Sequence, residues 1–511
     1  MFRNNLINNS LQVMSSRVAC FVISIIFLLS YFIFYPTVFE QNDDVIMKLI
    51  ANGYFTGQPE SHLVFINIIV GFILKFLYIH ISGIEWYSVM HISLIITVFF
   101  SNLYCITRYE TDTKRLFLTI INLSLLYFFS RLQFSYTSGF LAISAVILQI
   151  YGLTHDNRKL LAFSILLMLL SSLIRFEMFF FTYPILFITF LFHLRKKLSL
   201  KVGIIGGILI MGAFLINQLN YKNNQDWKNY YDYNKARGSV TNNLNINLND
   251  KHLVQDLKLN AEDRFLLQNY VFTENFTVEK LKKLTAYSKE NHTSMGSSIN
   301  FIYSYVTAYS IAITVFLLIS LITRRYRIAA AILLHIAMIL ITVRYANMVQ
   351  YRILYPTLFC LVFLYLKSLN TNKSKSLSVF LTASLSIFLL FQVRDVRKTT
   401  FFADRAQDNI RKIEKQLPKN KIYLVDPTSN YYLIGRSAFE NPDRKFVFFG
   451  WLTNFPANKK TYSDYNSNLY RMPNHPLIIS KANYNKLKPF IFNKEIYIID
   501  DNNLISLISK R

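Results

Sequence analysis

QNDDVIMKLIANGYFTGQPESH, residues Gln41–His62, follows the first apolar segment of the chain, and the rest is interpreted outward from it. It places two adjacent carboxylates, Asp43 and Asp44, before a short amphipathic run, and it ends in a Gly/Pro turn with Glu60 and His62. Ionisable groups beside membrane-spanning segments are costly unless they have a function. We therefore expect the chemistry of the protein to lie here.

The run after the carboxylates has the periodicity of a helix. Asn42 or Asp43 is a suitable N-cap, and Gly53 suits the C-terminal end. Asp44 can also pair with Lys48 one turn later. One acid could therefore do no more than cap the helix. Because adjacent helical positions point about 100° apart, the second acid still needs another role.

Composition indicates the class of protein. Of 511 residues, 53% are hydrophobic and 16% are charged, with a mean hydropathy of +0.29. A soluble protein has about a quarter charged residues, so the chain is predicted to be an all-α polytopic membrane protein. Its net charge of +26 fits basic residues in cytoplasmic loops and beside anionic membrane lipids. No basic stripe with a nucleic-acid module occurs, so we expect no nucleic-acid partner.

The three cysteines, Cys20, Cys105 and Cys360, lie in apolar segments. We expect them to be buried small hydrophobes and not a disulfide or metal framework. Arg3 and Arg17 precede the first apolar run, which could be mistaken for a signal peptide. No small-residue cleavage site follows it, so we interpret it as a retained first span.

About eleven segments are long and apolar enough to be spans, or twelve if 62–80 also crosses. They lie at about 18–36, 87–105, 116–130, 137–153, 159–175, 178–193, 201–217, 301–322, 327–345, 353–367 and 377–393. Placing the N-terminus inside and 62–80 outside makes nearly every basic loop cytoplasmic, as the positive-inside rule requires. Those loops are Arg108–Arg115, His155–Lys159, Leu194–Lys201, Thr323–Arg327 and Lys367–Lys375.

The segment 62–80 carries Asn67, Gly71, Lys75 and Tyr78 at spacings of four, four and three, which form one polar stripe on an apolar helix. Such a helix can lie in the outer interface or line a groove over the bundle. The alternative is a spanning helix with a buried Lys75.

The same topology places three hydrophilic regions outside the cytoplasm: a first loop at 37–86, a long loop at 218–300 and a tail at 394–511, which follows a transmembrane domain at 1–393. Helices are predicted near 251–269 and 277–290 in the long loop, and near 403–416 in the tail. The tail also contains the strand-like runs KIYLVD, KFVFFG, PLIIS and EIYIID. That alternation predicts a small α/β domain with a parallel or mixed sheet. No Gly-rich phosphate loop occurs in it.

Several arginines fall on the same outer side as the two aspartates. They are Arg131, Arg175 with its neighbour Glu177, Arg344 and Arg352. Each alone could contact phospholipid headgroups, and Arg175 could simply pair with Glu177. Together they suit a lipid-linked phosphate or diphosphate, which arginine binds bidentately.

Glycosyl transfer from a polyprenyl-phosphate carrier fits such a site. Asp44 is the first choice for the general base and Asp43 the second, and either could instead hold Mg²⁺ or Mn²⁺ at the leaving phosphate. Glu60 and His62 are candidates for acceptor or metal contacts, and Lys75 for substrate binding. No nucleotide sugar is available outside the cytoplasm, so an activated lipid-linked donor is expected.

The order of elements resembles the GT-C superfamily of polytopic glycosyltransferases: one span, an outer loop that opens with acids, an interfacial helix, many spans and an extracytoplasmic C-terminal domain. The first-loop sequence through Tyr78, GIEWYS, LQFSYTSG and the tail segment FFGWLTNFP look like a group of bacterial membrane proteins placed beside surface-polysaccharide genes. In that pattern a first-loop acid is catalytic, which implies Asp43 or Asp44. QYRILYPTLF resembles the segment that opens a late helix, which implies a role for Arg352.

The resemblance implies an enzyme of the bacterial cytoplasmic membrane, with its active site and C-terminal domain on the extracytoplasmic side. It would move a sugar or glycan from an undecaprenyl-phosphate-linked donor to a surface glycan or lipid acceptor. The alternatives are an O-antigen or capsule repeat-unit polymerase, a polysaccharide-related transporter or flippase, and a scaffold without chemistry. A transporter would call for polar residues at mid-membrane and often for internal repeats, and we find few of the former and none of the latter.

Overall fold

The structure is a computed structural model. It describes residues 13–54, 57–182, 197–241, 247–268, 272, 275–290, 314, 317–322, 324, 326–346, 351–368, 390, 394, 408, 410–425, 436–448, 450–452, 454–461, 475–481, 484–485, 488, 494–500 and 503–509. The first helices are α1 (Arg17–Phe34), α2 (Asn42–Ala51), α3 (Ile68–His80), α4 (Trp86–Tyr109), α5 (Asp112–Leu123), α6 (Phe134–Thr154), α7 (Arg158–Ile174) and α8 (Lys197–Asn223). The later helices are α9 (Gln225–Thr241), α10 (Lys251–Asp256), α11 (Ala261–Gln268), α12 (Val278–Glu290), α13 (Tyr326–Ala346), α14 (Tyr351–Ser368) and α15 (Pro456–Thr461).

The protein is mostly helical, and several of its helices could cross a membrane. Within the described residues four are long and apolar enough to do so: α1, α4, α6 and most of α8. The spans predicted at 178–193, 301–322 and 377–393 lie wholly or largely outside the described residues. All three cysteines are buried, as predicted.

The span predicted at 116–130 is not one continuous α-helix. Helix α5 ends at Leu123 and a 3₁₀ helix, Ser124–Phe129, follows it. The hydroxyl of Ser124 donates to the carbonyl of Ile121 at 2.6 Å. A local side-chain bond of this kind therefore accompanies the change from α-helix to 3₁₀ helix.

Helix α6 is the centre of the bundle, since all of its residues up to Leu153 are buried. It packs against α4, α7 and α14. The hydroxyls of Ser138 and Ser171 each donate to the other's backbone carbonyl, at 2.9 and 2.8 Å, which brings α6 and α7 close together. Small residues at helix interfaces allow this approach in membranes. Because Ser138 also donates to the carbonyl of Arg175 at 3.1 Å, the end of α7 lies beside the start of α6.

At the other end of the bundle, two of the predicted cytoplasmic loops meet. Lys367, at the end of α14, forms an ion pair of 2.5 Å with the buried Glu110, which follows α4. Lys114 donates to the carbonyl of Lys367 at 3.0 Å. The structure therefore places the basic loops after α4 and α14 at one end, away from Asp44.

Helix α3 begins and ends at the same end of the bundle. At its start, the N–H of Asn67 donates to the carbonyl of Leu173, at the end of α7. At its other end, the hydroxyl of Tyr78 donates to Glu85, just before α4. Its 13 residues cover about 20 Å, less than the roughly 30 Å hydrocarbon core of a bilayer. These contacts fit a helix that lies over the bundle and not one that crosses it.

The polar stripe of α3 faces the first loop. An ideal Cβ on Gly71 would come within 1.8 Å of the carbonyl oxygen of Ser61, so only glycine permits this approach. The opposite face presents exposed apolar side chains, as expected of a surface in contact with lipid. They are Phe72, Ile73, Phe76 and Ile79.

The predicted helix after the aspartates is α2, but it is not capped as expected. Its N-cap is Gln41 and no side chain caps it, so the N-cap prediction for Asn42 or Asp43 is wrong. Lys48 does not pair with Asp44, because its Nζ donates to the carbonyl of Glu440 at 2.5 Å. Gly53 has a φ of +82°, which confirms its role at the C-terminal end.

The C-terminal domain contains a mixed five-stranded sheet. Its strands are β3 (Ile422–Val425), β4 (Lys445–Phe448), β5 (Leu477–Ser480), β6 (Lys494–Asp500) and β7 (Asn503–Ser509), after the short strands β1 (Val38–Phe39) and β2 (Arg131–Leu132). The order is β4-β3-β5-β6-β7, and only β7 is antiparallel to its neighbour. The four predicted strand runs each form a strand, whereas β7 and the parallel pair β1–β2 were not predicted.

The sheet is covered on both faces. One face, with Leu424 and Ile496, packs against helices of the long loop, including Leu281 and Leu284 of α12. The other face, with Tyr423, belongs to the core that continues into the bundle. The predicted helix at 251–269 is interrupted and forms α10 and α11. The long loop and the tail therefore pack against each other and share a hydrophobic core.

The segment 436–441 attaches the C-terminal domain to the first loop. The N–H of Ala438 donates to the carbonyl of Thr37, and the hydroxyl of Ser88 donates to the carbonyl of Ala438 at 2.5 Å. The Lys48 contact to the Glu440 carbonyl adds a third link. The first loop and the C-terminal domain therefore lie at the same end of the bundle.

Candidate functional site

Asp44 joins three elements of the fold. It is 0% exposed, and its Oδ1 accepts hydrogen bonds of 3.0 Å from the hydroxyl of Tyr87 and from the N–H of Phe134. Phe134 is the first residue of α6, where a carboxylate interacts favourably with the helix dipole. Asp44 therefore stabilises the start of the central helix.

Asp43 points elsewhere, as expected of an adjacent helical position. It is partly exposed, and its Oδ1 accepts a hydrogen bond of 3.1 Å from the indole N–H of Trp451 in the C-terminal domain. Trp451 is the only described residue that Asp43 contacts in this way. Of the two acids, Asp43 is the one that a substrate could reach.

Three aromatic rings lead away from Asp43, and we call Trp451, Phe65 and Phe134 the aromatic wall. Phe65 meets Trp451 edge-on with ring centroids 5.0 Å apart, and stacks with Phe134 at 6.0 Å. The guanidinium of Arg175 lies 4.7 Å from the centroid of Phe134. The aromatic wall thus has a carboxylate at one end and a guanidinium at the other.

Arg175 is held in place by polar contacts as well. Its Nη1 donates to the hydroxyl of Ser135, and its Nε lies 3.8 Å from a carboxylate oxygen of Glu177. The Glu177 side chain is 78% exposed, so this loose ion pair contributes little to stability.

A cavity of about 600 Å³ lies beside the aromatic wall, between the segment before α3, the end of α7, and helices α8 and α9. Its apolar side includes Phe214 and Leu215, and Leu215 is 52% exposed on the surface of α8. Its polar side includes Lys222, Asp232 and Lys235 of the long loop. Such a cavity suits an amphipathic ligand whose apolar part leaves toward the lipid.

Phe65, which belongs to the aromatic wall, and Glu177, which pairs with Arg175, both line the cavity. The cavity therefore lies next to the Arg175 end of the aromatic wall. Three of the residues that we predicted to act together, Asp43, Arg175 and Glu177, are thus brought into one region.

Other predicted residues have different surroundings. Arg131 lies on β2 and contacts the ring of Tyr127, at 5.9 Å from its centroid. Lys75 is partly buried on α3. The side chains of Arg344, on α13, and Arg352, on α14, lie outside the described residues.

Glu60 and His62 form a carboxylate–imidazole pair that fixes the first loop to α8. The Oε1 of Glu60 lies 2.8 Å from the Nδ1 of His62, whose Nε2 lies 3.1 Å from the Oδ1 of Asn220. The imidazole stacks on Trp227, with centroids 3.8 Å apart. Since both groups already have protein partners, the geometry favours a structural role over acceptor binding.

Burial alone would raise the pKa of Glu60, but the hydrogen bonds and charge of His62, with Lys75 nearby, lower it from 4.5 to about 2. The folded protein therefore binds this proton less tightly than the unfolded chain does. The pair stabilises the fold above pH 4.5, and this contribution is lost as the pH falls from 4.5 towards 2.

We expect Glu60→Gln to lower the melting temperature most at about pH 6, with a difference from wild type that shrinks below pH 4.5. Melting curves in detergent across this pH range measure it. Glu177→Gln, which changes an exposed carboxylate, is the matched control. A difference between Glu60→Gln and wild type that stays constant with pH contradicts the assigned role.

The donor set does not fit a metal ion held by both aspartates. Asp44 already accepts hydrogen bonds from Tyr87 and Phe134, and its side chain points in a different direction from that of Asp43. Among the described residues no group of three or more His, Cys, Asp or Glu side chains could hold a metal ion.

Two residues near Asp43 were not predicted. Trp451 was part of the segment FFGWLTNFP, and its being one of three tryptophans in the chain was the only signal available. Arg237 is buried on α9, in a loop whose polar sequence did not indicate this burial.

Comparisons with protein-family models, curated proteins and solved structures gave no match.

Proposed function

We propose that the protein is a membrane glycosyltransferase that moves a sugar or glycan from a polyprenyl-phosphate-linked donor to a cell-surface glycan or lipid acceptor. The observation that supports this most is the aromatic wall with Asp43 at one end and Arg175 at the other. A general base and a phosphate-binding guanidinium are the two groups that such a transfer needs.

In this reaction, the Asp43 carboxylate accepts the proton of the acceptor hydroxyl while that oxygen attacks the anomeric carbon of the donor sugar. The bond from the anomeric carbon to the phosphate oxygen breaks, and the phosphate leaves on the lipid with the bonding electron pair. Arg175 stabilises the charge that develops on the leaving phosphate.

The proposal reverses the order given to the two acids from the sequence. Asp43 becomes the base, because it is partly exposed and has one hydrogen-bond donor, Trp451, among the described residues. Asp44 becomes a structural residue, because it is fully buried and accepts hydrogen bonds from Tyr87 and the start of α6.

The cavity supports a lipid-linked donor over a soluble one. Its exposed apolar residue Leu215 lies on a helix of spanning length, and its polar residues include Asp232 and Lys235 of the long loop. The apolar chain would follow α8 and the phosphate would lie toward Arg175. We place this end of the protein on the extracytoplasmic side of a bacterial cytoplasmic membrane.

The test is a transfer assay with the full chain in lipid nanodiscs, using sugars linked to undecaprenyl phosphate and detecting free carrier by mass spectrometry. We expect carrier release that depends on added acceptor. Movement of intact donor across liposomes without bond cleavage would instead indicate a flippase, and would overturn the proposal.

Glycan profiling of a strain that lacks the gene separates the transferase from a polymerase. Loss of a transferase leaves full-length polymers that lack one sugar or decoration. Loss of a repeat-unit polymerase leaves single repeats on the lipid carrier, and that result would replace the proposed activity.

A further inference from the structure

We propose that Arg237, on the long-loop helix α9, binds the phosphate of the lipid-linked donor on the side of the site that Asp43 faces. This assignment rests on the proposed transferase function and adds a residue of the long loop to the leaving-group site. Three observations carry it: the burial of Arg237, its uncharged hydrogen-bond partners and its position on α9.

The guanidinium of Arg237 is buried but poorly neutralised. The residue is 9% exposed. Its Nε donates to the Oδ1 of Asn234 at 2.9 Å, its Nη1 donates to the hydroxyl of Thr241 at 3.3 Å, and it lies over the ring of Phe272. Both acceptors are uncharged side chains of its own helix. Among the described residues, its Nη2 has no acceptor.

The other buried arginines of the described chain have acceptors of a different kind, a carboxylate or backbone carbonyls. Arg436 donates to the carboxylate of Glu414 at 2.5 Å. Arg115 donates to the backbone carbonyls of Ser15 and Glu110, and Arg444 donates to that of Leu417 at 2.7 Å. Arg237 has neither a carboxylate nor a carbonyl among its described partners. A buried guanidinium that donates only to uncharged side chains is costly, and an anion bound there would stabilise it.

Helix α9 directs Arg237 toward the candidate site. The hydroxyl of Tyr230 donates to the carbonyl of Trp451 at 2.7 Å, and Trp451 contacts Asp43. Tyr230 and Arg237 are seven residues apart, which places them on the same face of the helix about two turns apart. The face that contacts Trp451 is therefore the face that carries Arg237.

The electrostatics of Arg237 agree with this direction. Burial lowers the pKa of Arg237, and Tyr230, Tyr233 and the carboxylate of Asp43 oppose that shift. Among the described residues, Asp43 and Arg237 do not form a direct ion pair, since the carboxylate of Asp43 accepts from Trp451 and the guanidinium donates to Asn234 and Thr241.

The test measures lipid binding and not turnover. Purified full-length protein is titrated with undecaprenyl phosphate, undecaprenol and phosphatidylglycerol, and complexes are counted by native mass spectrometry. We expect Arg237→Gln to weaken the binding of undecaprenyl phosphate by about tenfold or more, as is typical when a charge-assisted contact is lost. Undecaprenol, which lacks the phosphate, should bind as it does to wild type.

Arg237→Lys keeps the charge without the bidentate geometry and should lose less affinity. Arg411→Gln removes a guanidinium that is 51% exposed on the C-terminal domain, and this variant should bind undecaprenyl phosphate as wild type does. Melting temperatures show that each variant is folded.

Undiminished binding of undecaprenyl phosphate to Arg237→Gln overturns the assignment, and transfer activity in that variant then leaves the proposed function intact. If undecaprenol binding is weakened equally, the assignment is also overturned, because Arg237 would then have a structural role. Phosphatidylglycerol binding that depends equally on Arg237 means a bulk-lipid site, which overturns the donor assignment. Wild-type protein that neither binds undecaprenyl phosphate nor transfers sugar removes both proposals.

Discussion

Asp43→Asn is expected to lower the rate of sugar transfer by about 10²- to 10⁴-fold, as is typical for loss of a general base. The amide cannot accept the proton of the acceptor hydroxyl, although it keeps an oxygen for the indole N–H of Trp451. The melting temperature should therefore stay close to that of wild type. Carrier release in nanodiscs and thermal unfolding in detergent measure the two properties.

Asp256→Asn is the matched control for this variant. Its side chain is 64% exposed on α10 and belongs to no part of the site, so transfer should be unchanged. Binding of undecaprenyl phosphate to Asp43→Asn should also persist, since the base acts on the acceptor. Substantial transfer by Asp43→Asn would remove Asp43 from the mechanism.

The sequence located the acidic pair but could not separate its two members. The role of Asp44 depends on its hydrogen bond to the start of α6, ninety positions further along the chain. The role of Asp43 depends on its hydrogen bond to Trp451, 408 positions further along the chain. Local periodicity contains no information about partners at such separations. The side chains' opposite roles therefore follow from tertiary packing alone.

The strands of the C-terminal domain could be predicted because apolar runs of four or five residues between polar stretches mark a buried sheet. The docking of the C-terminal domain onto the rest of the protein could not be predicted. It depends on backbone carbonyls, such as those of Ala438 and Glu440, which accept from Ser88 and Lys48. Any residue type offers a carbonyl, so no sequence pattern indicates these contacts.

Arg175 and Arg237 show the same limit of sequence-based prediction. Arg175 was found because it interrupts an apolar segment, which is rare and conspicuous. Arg237 lies in QDWKNYYDYNKARGSVT, where a basic residue is ordinary. Its burial is created by Phe272 and by the packing of the long loop on the sheet, which only the assembled fold provides.

Asp44→Ala is expected to destabilise the fold by about 3 kcal/mol or more, because it leaves both the N–H of Phe134 and the hydroxyl of Tyr87 without this acceptor in a buried region. Unfolding in detergent, followed by circular dichroism, measures the loss. Tyr87→Phe removes one donor and keeps the carboxylate, so its cost should be about 1 kcal/mol.

The double variant tests whether the two side chains act as one unit. Without the tyrosine hydroxyl, Asp44→Ala leaves only the N–H of Phe134 unpaired, so the combined loss should be smaller than the sum of the single losses. An Asp44→Ala protein that melts like wild type yet fails to transfer sugar would contradict this role. It would return the function of general base to Asp44, since a side chain that costs no stability to remove is free for chemistry.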